Sequence, residues 1–127
     1  MLRKLFCVFL CSAAAGTAVL AHHSYGLYDR EHPTSIEGTL QELMVANPHG
    51  MLTVRTDNGT VFVAEWGSVN AVERTGYRPG MLSVGDRVVI TGAPARDASD
   101  HRLALVSDIR RPRDGWQWTK NGVISAQ

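Results

Sequence analysis

Beyond residue 21 the chain has no cysteine, since its two, Cys7 and Cys11, both lie near the start. A domain built from the rest can hold neither a disulfide nor a thiolate metal site. Lysine is nearly as scarce: of 13 Lys and Arg residues, only Lys4 and Lys120 are lysine. A long membrane-spanning run is missing too. The apolar stretch from Leu5 to Leu20 is interrupted by Ala, Gly and Ser, whereas a span needs about 20 strongly apolar residues.

That short stretch reads instead as part of a secretory signal over residues 1–21. Arg3 and Lys4 supply the basic start, and Val19-Leu20-Ala21 has the small-residue form of a cleavage site. A lipid anchor at Cys11 is disfavoured by the bulky Val8, Phe9 and Leu10 before it. The expected product is a periplasmic or secreted protein starting at His22, with no stable membrane span after cleavage. Its remaining length suits one domain with a core of its own. Without Arg3 and Lys4, the 13 basic residues fall to 11 against 12 acidic ones. A net charge near −1 leaves no basic excess to bind nucleic acid by counterion release. The cluster Arg110-Arg111-Pro112-Arg113 is expected to be a solvated strand end.

The patterning of the mature chain is that of strands. Residues 22–33 show little periodicity and read as a lead-in segment. From Thr34, Ile36, Leu40, Leu43 and Val45 mark a first strand, broken by "NPHG" at 47–50. "MLTVRT" and "TVFVAEW" follow as second and third strands. Between them "DNG" at 57–59 predicts a type I′ hairpin, with positive φ tolerated at Asn and Gly. Ser68 caps a short helix, "VNAVERTG", closed by Gly76. "LSVGDRVVITG" then gives a Gly85-Asp86 turn and a fourth strand with Val88 and Ile90 on one face. "LALVSDIRR" is the fifth strand, after a polar loop.

Three meandering strands, a helix and two more strands make an all-β fold. The best fit is a five-stranded OB-like Greek-key barrel with one short helix between strands 3 and 4; a small β-sandwich with one helix is the alternative. The barrel domain is assigned to 34–111 and a C-terminal tail to 112–127.

The motifs "AHHSYG", "NPHG", "EWGSVNAVERTGY" and "LSVGDRVVITG", taken together, resemble the DUF6152 family of small secreted bacterial domains. The resemblance covers almost the whole mature chain. It implies an exported, OB-like single domain and carries no established activity. Where the family's segment is expected to have proline, this chain has Val69, which implies a slightly looser helix start.

The histidines suggest a chemistry. If the chain begins at His22, its amine and ring nitrogen can chelate one metal ion, and a histidine held opposite would complete a three-nitrogen set. His23 could serve through the amine, the intervening amide and its own ring. Nitrogen donors of this kind favour copper, with nickel and zinc as relatives. His49, between strands 1 and 2, and His101, between strands 4 and 5, lie in loops that flank one face of an OB barrel. Asp97 and Asp100 could orient a ring from behind. His32 is the weakest candidate. Each of these histidines also has a structural reading: a tail for His22 and His23, a turn for His49, an exposed loop for His101.

Catalytic motifs are missing. "WGSVN" is not a G-x-S-x-G elbow, no phosphate-cradling glycine loop is present, and Glu65 has no paired carboxylate near it in sequence. Trp66 and Tyr77 read as core packing. Trp116 and Trp118 share one side of an extended "WQW", which suits either folding back on the barrel or docking a partner. The sequence thus points to a non-enzymatic binding protein. One form binds copper through His22, His23, His49 and His101. The other is a metal-free module that binds an envelope protein or small ligand on the barrel face. It fixes no oligomeric state.

Overall fold

The structure is a computed structural model describing residues 24–125. The signal assigned to 1–21, and His22 and His23, lie outside the described residues. Among the described residues no helix is long and apolar enough to cross a membrane.

The strands are β1 (Thr34–Met44), β2 (Met51–Arg55), β3 (Val61–Glu65), β4 (Arg87–Pro94), β5 (Arg102–Arg111), β6 (Trp116–Thr119) and β7 (Gly122–Ile124), with helix α1 (Val69–Arg74) between β3 and β4. They form one sheet in the order β3-β2-β1-β4-β5-β6-β7, and β3 also pairs with β5. That pairing is parallel and short, Val63 to Arg102 and Ala64 to Leu103. It closes β1, β2, β3, β5 and β4 into the expected five-stranded OB-like barrel.

Strand β1 serves both halves of the barrel, pairing with β4 through Thr34–Thr39 and with β2 through Thr39–Met44. Gly38 sits where the two ladders meet. A Cβ there would stand 2.2 Å from the Arg55 carbonyl oxygen, so only glycine admits this approach. A bulge between Leu40 and Glu42 follows. It explains why the apolar positions change from even (Ile36, Leu40) to odd (Leu43, Val45): one extra residue moves the following side chains to the other face.

The β2–β3 turn corrects the type I′ expectation. Gly59 has φ +89, but Asn58 is not among the residues with positive φ. Gly59 N–H donates to the Thr56 carbonyl at 2.9 Å, which makes a type I turn followed by a left-handed glycine. The Asn58 side chain supplies the reason. Its oxygen accepts from Thr56 Oγ1 and from Thr60 N–H, at 2.6 and 3.0 Å, locking a longer loop.

Helix α1 begins as expected, with Ser68 Oγ accepting from Ala71 N–H at 3.3 Å. It buries Val72 over one end of the barrel. Its start is not loosened by Val69. The valine N–H, which proline would lack, donates to Asn47 Oδ1 at 3.1 Å and ties the helix to the "NPHG" loop.

The segment assigned as a C-terminal tail continues the sheet. β6 pairs with β5 from Trp116 to Thr119, and β7 pairs with β6. Trp116 and Trp118 are both buried, so the "WQW" motif folds back onto the barrel. Trp118 meets Trp66 edge to face, 5.1 Å between ring centres, and Trp66 meets Tyr77 the same way at 4.9 Å. One arginine of the 110–113 cluster is drawn in with it. Arg111 is only 12% exposed; it bonds Asp86 at 2.9 Å and Asp114 at 2.8 Å and lies over the Trp116 ring. Arg113 reaches Asp86 as well. Burying Asp86 demands these cations; Arg111 is held inside, while Arg110, Pro112 and Arg113 stay exposed, as a solvated strand end would be.

Candidate functional site

The "NPHG" loop joins β1 to β2 and is pinned from both sides. Asn47 holds the start of α1. Gly50 N–H donates to the Gly67 carbonyl at 2.9 Å, while Trp66 N–H donates to the Gly50 carbonyl at 2.8 Å. His49 is thereby presented, half-exposed, beside the end of β3. Its Nδ1 stands 3.5 Å from Glu65 Oε1.

The lead-in segment arrives at the same carboxylate. It is not slack: Tyr28 forms a bridge with Ala95, Asp29 N–H donates to the Pro94 carbonyl at 2.8 Å, and Arg96 N–H donates to the Leu27 carbonyl at 2.8 Å. Tyr28 buries itself against Ala93 and Ala104. With the segment held along β4, the Tyr25 hydroxyl donates to Glu65 Oε1 at 2.9 Å. Burial, reinforced by the bond to the Glu65 carboxylate, holds the Tyr25 hydroxyl above its ordinary pKa and keeps it a donor.

Behind these three polar groups opens a cavity of about 320 Å³. Its walls are the rings of Trp66 and Trp118, Val72 and Ala71 of α1, and Leu105 and Val106 of β5, with Pro48 at the lip. Leu105 is the one non-glycine residue with positive φ (+53) among the described residues. It lies where β5 carries extra residues opposite Gly92, between the pairs Thr91–Asp108 and Ala93–Ala104. Bulges and left-handed residues of this kind gather at functional sites, where they re-aim the chain. Thr75 is satisfied: its Oγ1 accepts from Trp118 Nε1 at 2.7 Å and donates to the Val72 carbonyl at 2.6 Å. Lys120, exposed on the β6–β7 turn, is the cation of the rim.

The sequence matches the family described as a family of unknown function, DUF6152, over residues 10–104. That is well over half of the chain. The chain belongs to DUF6152. No curated protein matches it. In this DUF6152 domain the matched region holds Tyr25, His49, Glu65 and the cavity walls from Trp66 to Thr75, while Leu105, Val106 and the β6–β7 hairpin lie beyond it.

The histidines singled out from the sequence are distributed unevenly over the DUF6152 domain. His49 stands at the cavity mouth. His101 does not join it: its ring packs on Phe62, 5.2 Å between centres, and its carbonyl accepts from Val63 N–H. Phe62 and Glu65 are three residues apart on β3, about 10 Å at the usual strand rise. Asp100 is engaged by Arg102 at 2.7 Å and Asp97 by Ser99, so neither carboxylate orients a histidine ring. His32 bonds Asp29 on the surface at 2.9 Å. Among the described residues no group of three or more His, Cys, Asp or Glu is placed to hold a metal ion; the candidate partners His22 and His23 precede those residues.

Sequence reasoning missed Tyr25 and the pairing of His49 with Glu65. Tyr25 carried a usable signal, an aromatic in the segment just past the histidine pair. The His49–Glu65 pairing follows from the Met51–Glu65 register of the β2–β3 hairpin, which brings the residues flanking that pair together.

Proposed function

We propose that this chain is an exported binding protein, not an enzyme, and that its site holds copper at the cavity mouth through His49 and the amino-terminal histidines. The observation that carries the reading is Tyr25 seated on Glu65, the carboxylate that also faces His49. Glu65 Oε1 at 3.5 Å from Nδ1 leaves His49 Nε2 to the ligand, and a carboxylate in that position can orient a metal-binding imidazole once it closes to hydrogen-bond distance. His23 is two residues from Tyr25, a reach of about 7 Å along an extended chain. The anchored tyrosine fixes a point two residues from His23 beside the carboxylate that faces His49, which supports the reading.

A copper(II) titration of protein beginning at His22 tests this, alongside protein with one extra residue in front and the His49→Ala variant. The reading expects tight one-to-one binding that is lost with the extra residue and with His49→Ala. Equal, weak binding in all three samples refutes it.

A further inference from the structure

The cavity behind the copper-proposed mouth has its own chemistry, and it does not depend on any metal. Six of the twelve carboxylates among the described residues have a guanidinium. Glu37 and Asp57 share Arg87, Asp86 and Asp114 share Arg111, Asp100 has Arg102 and Asp108 has Arg110. Glu65 differs. It is about a quarter exposed, it lines an apolar cavity, and its neighbours are the neutral Tyr25 hydroxyl and the His49 ring. No Arg or Lys is within ion-pair distance of it among the described residues.

The same cavity is lined by Tyr25, Trp66 and Trp118, the two tryptophans nearly buried in their mutual packing. Aromatic faces attract cations through their quadrupoles, most strongly for tryptophan and most strongly where water is excluded. Two tryptophans, a tyrosine and a carboxylate with no Arg or Lys partner among the described residues, around one small apolar cavity, complement an organic cation with an alkyl shell. A bare metal ion would find no donors on Val72, Leu105 or Val106. A neutral apolar ligand would leave Glu65 without a counter-charge. The volume, about 320 Å³, lies at the small end of the range for ligand pockets and suits a compact molecule.

We propose that the cavity is a binding site for a small alkylated ammonium compound, its cationic head against Glu65 and the aromatic rings and its alkyl part against α1 and β5. Lys120 at the exposed rim is the opposing feature, and it makes the charge preference a real test. Choline, its neutral isostere 3,3-dimethylbutanol and the anionic 3,3-dimethylbutyrate are titrated into the protein in a metal chelator, followed by calorimetry and by indole fluorescence.

The proposal expects choline to bind about tenfold or more tightly than the neutral isostere, the advantage of a desolvated cation–aromatic contact together with a counter-charge. Glu65→Gln should remove most of that advantage. Ala71→Phe, on an exposed position of α1 at the cavity wall, should abolish choline binding while copper binding persists; His49→Ala abolishes copper binding independently. Circular dichroism melts establish that each variant is folded. Equal binding of choline and its neutral isostere, preference for the anion, or binding of none of the three overturns the proposal without touching the copper reading.

Discussion

Tyr25 and Glu65 are 40 positions apart in sequence, yet the tyrosine hydroxyl donates to the glutamate Oε1 at 2.9 Å. This bond fastens the first described turn of the chain to the end of β3. Tyr25→Phe should therefore cost about 1.5 kcal/mol, the lower end for a bond to a charged group, since this one is partly solvated. Amide exchange of residues 25–29 should quicken while β1 and β4 keep their protection. Unchanged exchange in that segment would show that the bridge at Tyr28 alone holds it.

Trp66 and Trp118 offer a matched comparison. Both are buried and in edge-to-face contact, but Trp118 Nε1 donates to Thr75 whereas Trp66 Nε1 is buried without a partner. Removing a bonded N–H orphans Thr75 as an acceptor; removing an unbonded one relieves a desolvation cost of about 1–3 kcal/mol. Trp66→Phe should thus destabilise less than Trp118→Phe by about 1 kcal/mol or more in urea denaturation. Both lose comparable ring volume, so equal losses would contradict the argument.

Gly38→Ala should be among the most damaging small substitutions. Its new Cβ would lie 2.2 Å from one backbone oxygen and 2.7 Å from a backbone carbon of Arg55. Neither can yield as a flexible side chain would. A loss of about 3 kcal/mol, the upper range for overpacking, is expected in a denaturant melt.

Acid should destabilise the domain. Hydrogen bonds from Arg111, Arg102 and Arg87 hold Asp114, Asp100 and Asp57 below the usual carboxylate range, and a bond with His32 does the same for Asp29. A lowered folded-state pKa gives stability that is present above the unfolded value, near ~3.9. That stability is lost as pH falls through the folded value. Melting temperature should hold from neutral pH down to about 5 and fall steeply below about 4. Asp114→Asn should flatten part of that fall.

How far the sequence revealed this molecule depends on the range of the interactions. The five strands and the helix announced themselves through local signals: alternation at Val88 and Ile90, the Ser68 cap, the glycine turns. The bulge at Leu40–Glu42 was visible as a change of phase but needed the partner strand to be understood. The hairpin at 116–124 was not legible, because its tryptophans are buried by β5 and α1 rather than by anything nearby. Arg111 departed from the expected solvated strand end for the same reason, since its partner Asp86 lies 25 residues before it. At the site, His49 was visible as a residue but not as a neighbour of Glu65 and Tyr25. That relation exists only once the barrel has closed.

Closure itself rests on little. The ring becomes a ring through the two parallel pairs between β3 and β5, Val63 with Arg102 and Ala64 with Leu103, whereas the β1–β2 and β2–β3 ladders connect near neighbours. Joining residues so distant costs more chain entropy than zipping a hairpin. Loop closure therefore predicts that the meander of the first three strands forms before the parallel seam, an order that φ-values at Val54 and Leu103 would check. A folding intermediate with the seam open would carry an intact β2–β3 hairpin and Glu65 at its end, but would have neither the Leu105 wall nor the Trp118 ring to complete the cavity.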